Sequence, residues 1–275
     1  MSRSWEFAKL SYRTLFGNPH LLIFPFISGI ASILVVVSFF IPLEMTGTLD
    51  RWIAAVDSAE GMPEDLALYL TTFAFYFCSY FTIIFFNTAL IASVMDIIDG
   101  RNGSLGMGLR FAFKRLPAIF AWSLVSAAIG MLLKSLERNE KIGRFVAGLL
   151  GSAWSALTFF VIPVIVTEGS GPYKAFTRST KILRDTWGTA LMGNFSLGTF
   201  GFLLMLPIIL IGVLLGSTFG LTVALAVSIP LALLAILLNT AADSVFKAYL
   251  FAYATGEALP NSVDASEMSE AFVQR

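Results

Sequence analysis

PYKAFTRSTKILRDTW (172–187) runs directly into GTALMGNFSLGTFGFLLMLPIILIGVLL (188–215). Wound as a helix, the first stretch puts Tyr173, Phe176, Thr180, Leu183 and Trp187 on one face. Lys174, Arg178, Lys181 and Asp185 fall on the opposite face. The second stretch carries no charged side chain at all. About 20 apolar residues in a helix cross the roughly 30 Å hydrocarbon layer of a bilayer. The junction therefore predicts a basic amphipathic surface helix feeding a membrane span.

The same succession occurs twice more, at Ser4–Phe16 and Leu105–Leu116. A pair of apolar blocks follows each: 21–43 and 66–95, 116–133 and 145–167, 189–215 and 221–246. Composition agrees, with 57% hydrophobic and only 13% charged residues, where a soluble domain carries about 25% charge. The fold class read here is all-α: a polytopic membrane helix bundle of six transmembrane helices. Short basic amphipathic cytoplasmic helices precede spans 1, 3 and 5. Residues 1–255 form one domain, and 256–275 read as a polar, disordered cytoplasmic tail. The first block is too long for a signal sequence and is expected to stay in the protein.

Basic residues orient the spans. With six crossings, thirteen of the 18 Lys and Arg fall with the two termini and the loops 96–115 and 168–188. Positive charge is retained in the cytoplasm, so a cytoplasmic (inner) membrane protein with both termini cytoplasmic is expected. Loop 134–144 is the misfit, with Lys134, Arg138, Lys141 and Arg144 on the outer side. The outer loop 44–65 is acidic. Within it Leu49, Trp52, Ile53 and Val56 have the spacing of a short surface helix, and Pro63-Glu64-Asp65 reads as a helix start.

Ser11-x-Arg13-x-Leu15 aligns with Ser179-x-Lys181-x-Leu183, and the middle copy shares the basic–apolar rhythm. Two readings stay open. Either three parallel units of surface helix plus hairpin repeat, or every cytoplasmic juxtamembrane segment is merely basic. The motifs Ser4-Trp5, Leu21-Leu22-x-x-Pro25, Phe85-Phe86-Asn87-x-Ala89-Leu90 and the run Pro163–Gly188 belong together. On these the chain resembles, over about residues 2–255, a family of uncharacterised prokaryotic six-span membrane proteins. The resemblance implies a fold and no chemistry.

No reaction centre is legible. A single Cys78 and a single His20 exclude an internal disulfide and any Cys- or His-based metal site within one chain. Asp96-Ile-Ile-Asp99-Gly100 resembles the opening of the CDP-alcohol phosphotransferase signature. The Ala-Arg and the second aspartate pair of that signature are missing, so the segment reads as a helix end and turn. No phosphate-binding glycine loop occurs. Catalytic residues, metal and cofactors are accordingly read as none. Zero net charge offers no field for nucleic acid.

The polar groups inside the spans form the candidate site. Asn87, Asn194, Asn239, Asp243 and Lys247 map to the cytoplasmic third of spans two, five and six. Ionisable groups at membrane depth are functional candidates, while pairing and interhelical hydrogen bonds are the structural alternative. Gly212, Gly216 and Gly220 form a ridge for close helix packing, filled by span six or by a second copy. Trp122 and Trp154 read as packing residues. Arg110, Lys114, Arg178, Lys181 and Arg184 are the candidate contacts to lipid or a partner. The function expected is a non-enzymatic membrane protein that binds anionic headgroups through its basic helices, with a protein partner or homo-oligomer as further candidates. A small-solute transporter or channel built on the polar cluster is the other class.

Overall fold

The computed structural model describes residues 2–57, 66–137 and 140–256, with side chains over 9–54, 66–137, 143–185, 201–202 and 205–256. Helix α1 (Ser2–Gly17) ends at Asn18-Pro19, and a 3₁₀ turn (Pro19–Leu22) leads into α2 (Ile23–Met45). A left-handed Gly47 (φ 62°) turns the chain into α3 (Thr48–Asp57). Then come α4 (Leu66–Ile98), α5 (Leu105–Lys114), α6 (Leu116–Leu136), α7 (Glu140–Leu157), α8 (Val161–Glu168), α9 (Pro172–Phe219) and α10 (Leu221–Thr255). The segments 63–65 and 257–275 lie outside the described residues.

Among the described residues, five stretches are long and apolar enough to cross a membrane by length and composition: Pro19–Met45, Leu66–Ile98, Leu116–Leu136, Gly143–Glu168 and Leu221–Thr255. A shorter apolar stretch, Met205–Phe219, closes α9. The chain is an all-α membrane helix bundle.

Two elements differ from the sequence reading. The basic stretch at 172–187 and the apolar block at 189–215 are not separate helices but one helix, α9, of 48 residues. In the first two units Pro19 and Pro117 stand at the junction, where a missing N–H and a crowded preceding residue break the helix. The third junction has Trp187-Gly188 instead, and one glycine costs only about 1 kcal/mol relative to alanine. The block 145–167, conversely, is interrupted between α7 and α8. Pro163 cannot donate to the Phe159 carbonyl four residues back, and the turn tightens, with Phe159 N–H on Ala156 O (3.2 Å) and Val161 N–H on Thr158 O (3.0 Å).

The packed core sits at one end. There α4, α8 and α10 touch pairwise, α1 packs on α10 and α9, α5 on α4, and α9 on α8 and α7. Leu15, Leu21, Phe24, Leu90, Val94, Ile165, Phe246 and Phe251 are fully buried in this region. Trp122, Trp154 and Phe176 stack with centroids 5.7 and 5.6 Å apart, tying α6, α7 and α9 together. Toward the other end Ile33, Leu34, Phe40, Leu70, Leu149, Leu210, Val213 and Leu233 are exposed. In a bilayer this surface needs no protein cover, because hydrocarbon is its solvent.

Candidate functional site

The packed end carries the basic helices, and all three seat themselves through a small residue. On α5 the buried positions are Gly108 and Ala112. On α1 they include Ser11 and Leu15, and on α9 Ala175, Ser179, Ile182 and Leu183. The buried faces keep part of the apolar face read from the sequence, with Tyr12, Leu15 and Leu183 buried, and leave other large residues out. Tyr173 is 83% exposed and Phe113 63% exposed. The small residues in each seat let two backbones approach. A Cβ added to Gly108 would meet the Ser93 hydroxyl and lie 2.5 Å from the Ala89 carbonyl oxygen of α4.

This seating gives the middle copy a register that its sequence leaves open. Gly108-Leu109-Arg110-Phe111-Ala112 matches Ser11-Tyr12-Arg13-Thr14-Leu15 and Ser179-Thr180-Lys181-Ile182-Leu183. In each, the first and fifth residues are buried and the central cation is exposed. The packing is head-to-tail. The helix opening each unit lies on the last helix of the unit before it: α5 on α4, α9 on α8, and α1, closing the cycle, on α10.

Polar side chains stitch these seams. Ser179 Oγ donates to Leu157 O (2.7 Å) and accepts the Phe160 N–H (3.0 Å), satisfying backbone groups that the α7–α8 interruption frees. Arg115, between α5 and α6, donates to Val166 O (3.2 Å) and Thr167 O (3.4 Å), the carbonyls at the end of α8. Cations at a helix C-terminus meet the negative end of its dipole. Gly169 (φ 62°) makes room, since a Cβ there would run into the Arg115 guanidinium. Glu168 takes the Arg178 Nε at 2.9 Å and the Ser170 hydroxyl at 3.4 Å. At the end of α4, Asp96 and Asp99 (2.7 Å) both pair with Arg101. Asp96 also accepts the Gly103 N–H (3.0 Å), and the Gly103 carbonyl lies 3.0 Å from His20 Nε2. The Asp96–Gly100 segment is thus a braced helix end.

Three members of the candidate polar cluster, Asn239, Asp243 and Lys247, lie on α10. Asp243 and Lys247 pair at 2.6 Å, with side chains 29% and 28% exposed, and the ammonium lies 5.1 Å from the centre of the Phe159 ring. Asn239 Oδ1 accepts the Tyr12 hydroxyl (3.3 Å), and its amide lies against Gly201, where an added Cβ would come within 2.8 Å of it. Burial disfavours the phenolate and pushes Tyr12 up to about 12. Thr14 reaches Tyr249 at 3.2 Å on the same side of α10. Asn87 is half-buried on α4, and the side chain of Asn194 lies outside the described residues. Of the glycine ridge, Gly212 and Gly216 face Ser228 and Ala224 of α10, and Gly220 (φ 86°) forms the turn. Arg110, Lys114, Lys181 and Arg184 are exposed, whereas Arg178 is half-buried in its pair with Glu168. Among the described residues no group of three His, Cys, Asp or Glu stands together to hold a metal.

Sequence reasoning missed Arg115 and the bonding role of Ser179. Pro163 and the Glu168-Gly169 helix end were the signals that α8 has freed backbone groups at both ends.

These features define a class: a helical membrane protein with one tightly packed, charge-bearing end and a lipid-facing remainder. Within that class the chain belongs to a family of unknown function (DUF6159), whose model matches residues 66–259. No curated protein and no solved structure matches it.

Proposed function

We propose that the chain is a non-catalytic integral protein of the cytoplasmic membrane, with six crossings and both termini in the cytoplasm. On this reading it binds anionic lipid or a partner at its basic end. The observation that carries the reading is the division of labour on α1, α5 and the first part of α9. One face of each is buried in the bundle, and Arg13, Arg110, Lys114, Lys181 and Arg184 point outward. Each such cation near an anionic headgroup layer gains about 1 kcal/mol. The test is charge reversal of Arg110, Lys114, Lys181 and Arg184 to Glu, leaving Arg178 to its pair with Glu168. Capture of anionic lipid or partner is lost and reconstituted liposomes stay equally impermeable. A permeability change with capture intact would refute the reading.

One observation favours a second reading, transport. The interrupted helix α7–α8 presents Phe159 to the Asp243–Lys247 pair. Interrupted helices beside ionisable groups mark substrate sites in membrane transporters. Under this reading Asp243→Asn alters a solute flux in proteoliposomes. Under the first reading it leaves every flux unchanged.

A further inference from the structure

The repeat register singles out one position. In each five-residue match, the third residue is a cation (Arg13, Arg110, Lys181), and in all three units it is exposed. The residues two places before and after it are buried against neighbouring helices in every unit. The cation is thereby held in a fixed relation to the seam where its helix meets the preceding unit. The helices carrying it are held by bonds that cross those seams. Tyr12 to Asn239 (3.3 Å) and Thr14 to Tyr249 (3.2 Å) fasten α1 to α10. Ser179 to Leu157 (2.7 Å) fastens α9 to the end of α7, and the Ser93 hydroxyl on the Ser104 carbonyl (3.3 Å) fastens the start of α5 to α4.

Two of the three positions have the same companion. Phe16 and Phe113 each stand three residues beyond the cation, at 70% and 63% exposure. On the third helix the corresponding residue is a second exposed cation, Arg184. An exposed aromatic ring beside an exposed cation suits a boundary where acyl chains meet phosphate, because the ring takes the apolar layer and the cation takes the phosphate. A partner that offered acidic groups alone would leave both phenylalanines uncovered.

We infer that Arg13, Arg110 and Lys181 are three register-equivalent headgroup sites, each holding the phosphate of one anionic phospholipid at the seam between successive units. This inference rests on the proposed function above and narrows it from a basic surface to three places. Because the helices are seated by their small residues, the sites are preformed, and the ordering cost of the cation-bearing backbone is already met by folding.

The experiment uses the full chain in nanodiscs of phosphatidylcholine containing a minor share of phosphatidylglycerol. The phosphatidylglycerol molecules retained on the protein are counted by native mass spectrometry. Arg13→Gln, Arg110→Gln and Lys181→Gln are compared with Lys174→Gln, an exposed cation outside the register. Each register substitution lowers the retained number by about one, and the triple variant retains no more than a phosphatidylcholine-only control does of its own lipid. Lys174→Gln leaves the count unchanged. Equal losses with Lys174→Gln, or full retention in the triple variant, overturn the three-site assignment. If the triple variant retains its lipid while the fourfold charge reversal loses it, the assignment falls and the proposed function stands. Loss of a soluble protein's capture without loss of lipid also overturns the assignment. All four side chains are exposed, so an unchanged unfolding temperature serves as the folding control.

Discussion

The Ser179 hydroxyl on α9 accepts the backbone N–H of Phe160 at 3.0 Å, across the interruption between α7 and α8. The same oxygen donates to Leu157 O at 2.7 Å, so one side chain closes both ends of the gap. A proline in the apolar stretch Gly143–Glu168 is tolerated because a neighbouring helix re-satisfies the backbone it disturbs.

Removing that hydroxyl has a calculable cost. Ser179→Ala leaves the buried Phe160 N–H and the half-buried Leu157 carbonyl without that partner, and an unmet buried group costs about 1–3 kcal/mol. Thr177→Ala, which removes an exposed hydroxyl bonded within its own helix, is the matched control. Reversible unfolding in mixed micelles reads both. Ser179→Ala unfolds at lower denaturing-detergent fraction and Thr177→Ala does not. Coincident curves would mean that the interruption needs no closure.

Gly108 and Gly106 are two residues apart in α5 and so lie on opposite faces of the helix. A Cβ on Gly108 meets the Ser93 hydroxyl and the rigid Ala89 carbonyl, whereas one on Gly106 meets nothing within 4 Å. Gly108→Ala therefore forces α5 away from α4, with an overpacking cost of about 1–3 kcal/mol. Gly106→Ala gains up to about 1 kcal/mol of helix propensity. The two alanine variants are expected to move the thermal unfolding midpoint in opposite directions. A neutral Gly108→Ala would rule out a tight α4–α5 seam.

How far the sequence reaches is clear from these same residues. The apolar blocks and their basic lead-in helices were legible because hydrocarbon thickness and charge asymmetry act directly on composition. The seating faces were legible only in part: Leu15 and Leu183 carry an apolar signal and are buried, whereas the small residues that let helices approach carry none. Ser11, Gly108 and Ser179 carry almost no hydrophobic signal, yet each occupies a seat. Arg115 read as one more loop cation, since nothing local reveals that the carbonyls at 166 and 167 lie beside it. Continuity through 187–189 was missed for the opposite reason. The break was inferred from a change in composition, whereas helices stop at specific chemistry, and the third junction has no proline.

Docking of α1 is expected to depend on alkaline pH. Burial raises the Tyr12 phenol from its ordinary 10 to about 12. The docked state thus holds the proton more tightly than the undocked state does. Its contribution is complete below pH 10 and is lost as the pH rises from 10 toward about 12. A spin label at position 16 in a Cys78→Ser background reports the release as increased mobility across that window. In Tyr12→Phe the window disappears, because no proton remains to be lost at that site. A mobility change of the same size in Tyr12→Phe would assign the transition elsewhere.

The last expectation concerns the lipid-facing end of the α9–α10 hairpin. Ser228 Oγ is buried there and has no hydrogen-bond partner among the described residues, and it lies 2.7 Å from where a Cβ on Gly212 would stand. Ser228→Ala removes an unpaired hydroxyl from an apolar setting while keeping the close approach. It is therefore neutral to stabilising, by up to about 1 kcal/mol. Gly212→Ala alone collides with that oxygen and destabilises the hairpin. In the double variant the new methyl meets only the residue-228 Cβ, 3.5 Å away and in ordinary contact, so most of the cost is relieved. The double-mutant cycle should thus show favourable coupling of about 0.5–3 kcal/mol, the range for residues in contact. Strictly additive effects would mean that the ridge does not bear on Ser228 and that the seat of α10 against Gly212 lies elsewhere.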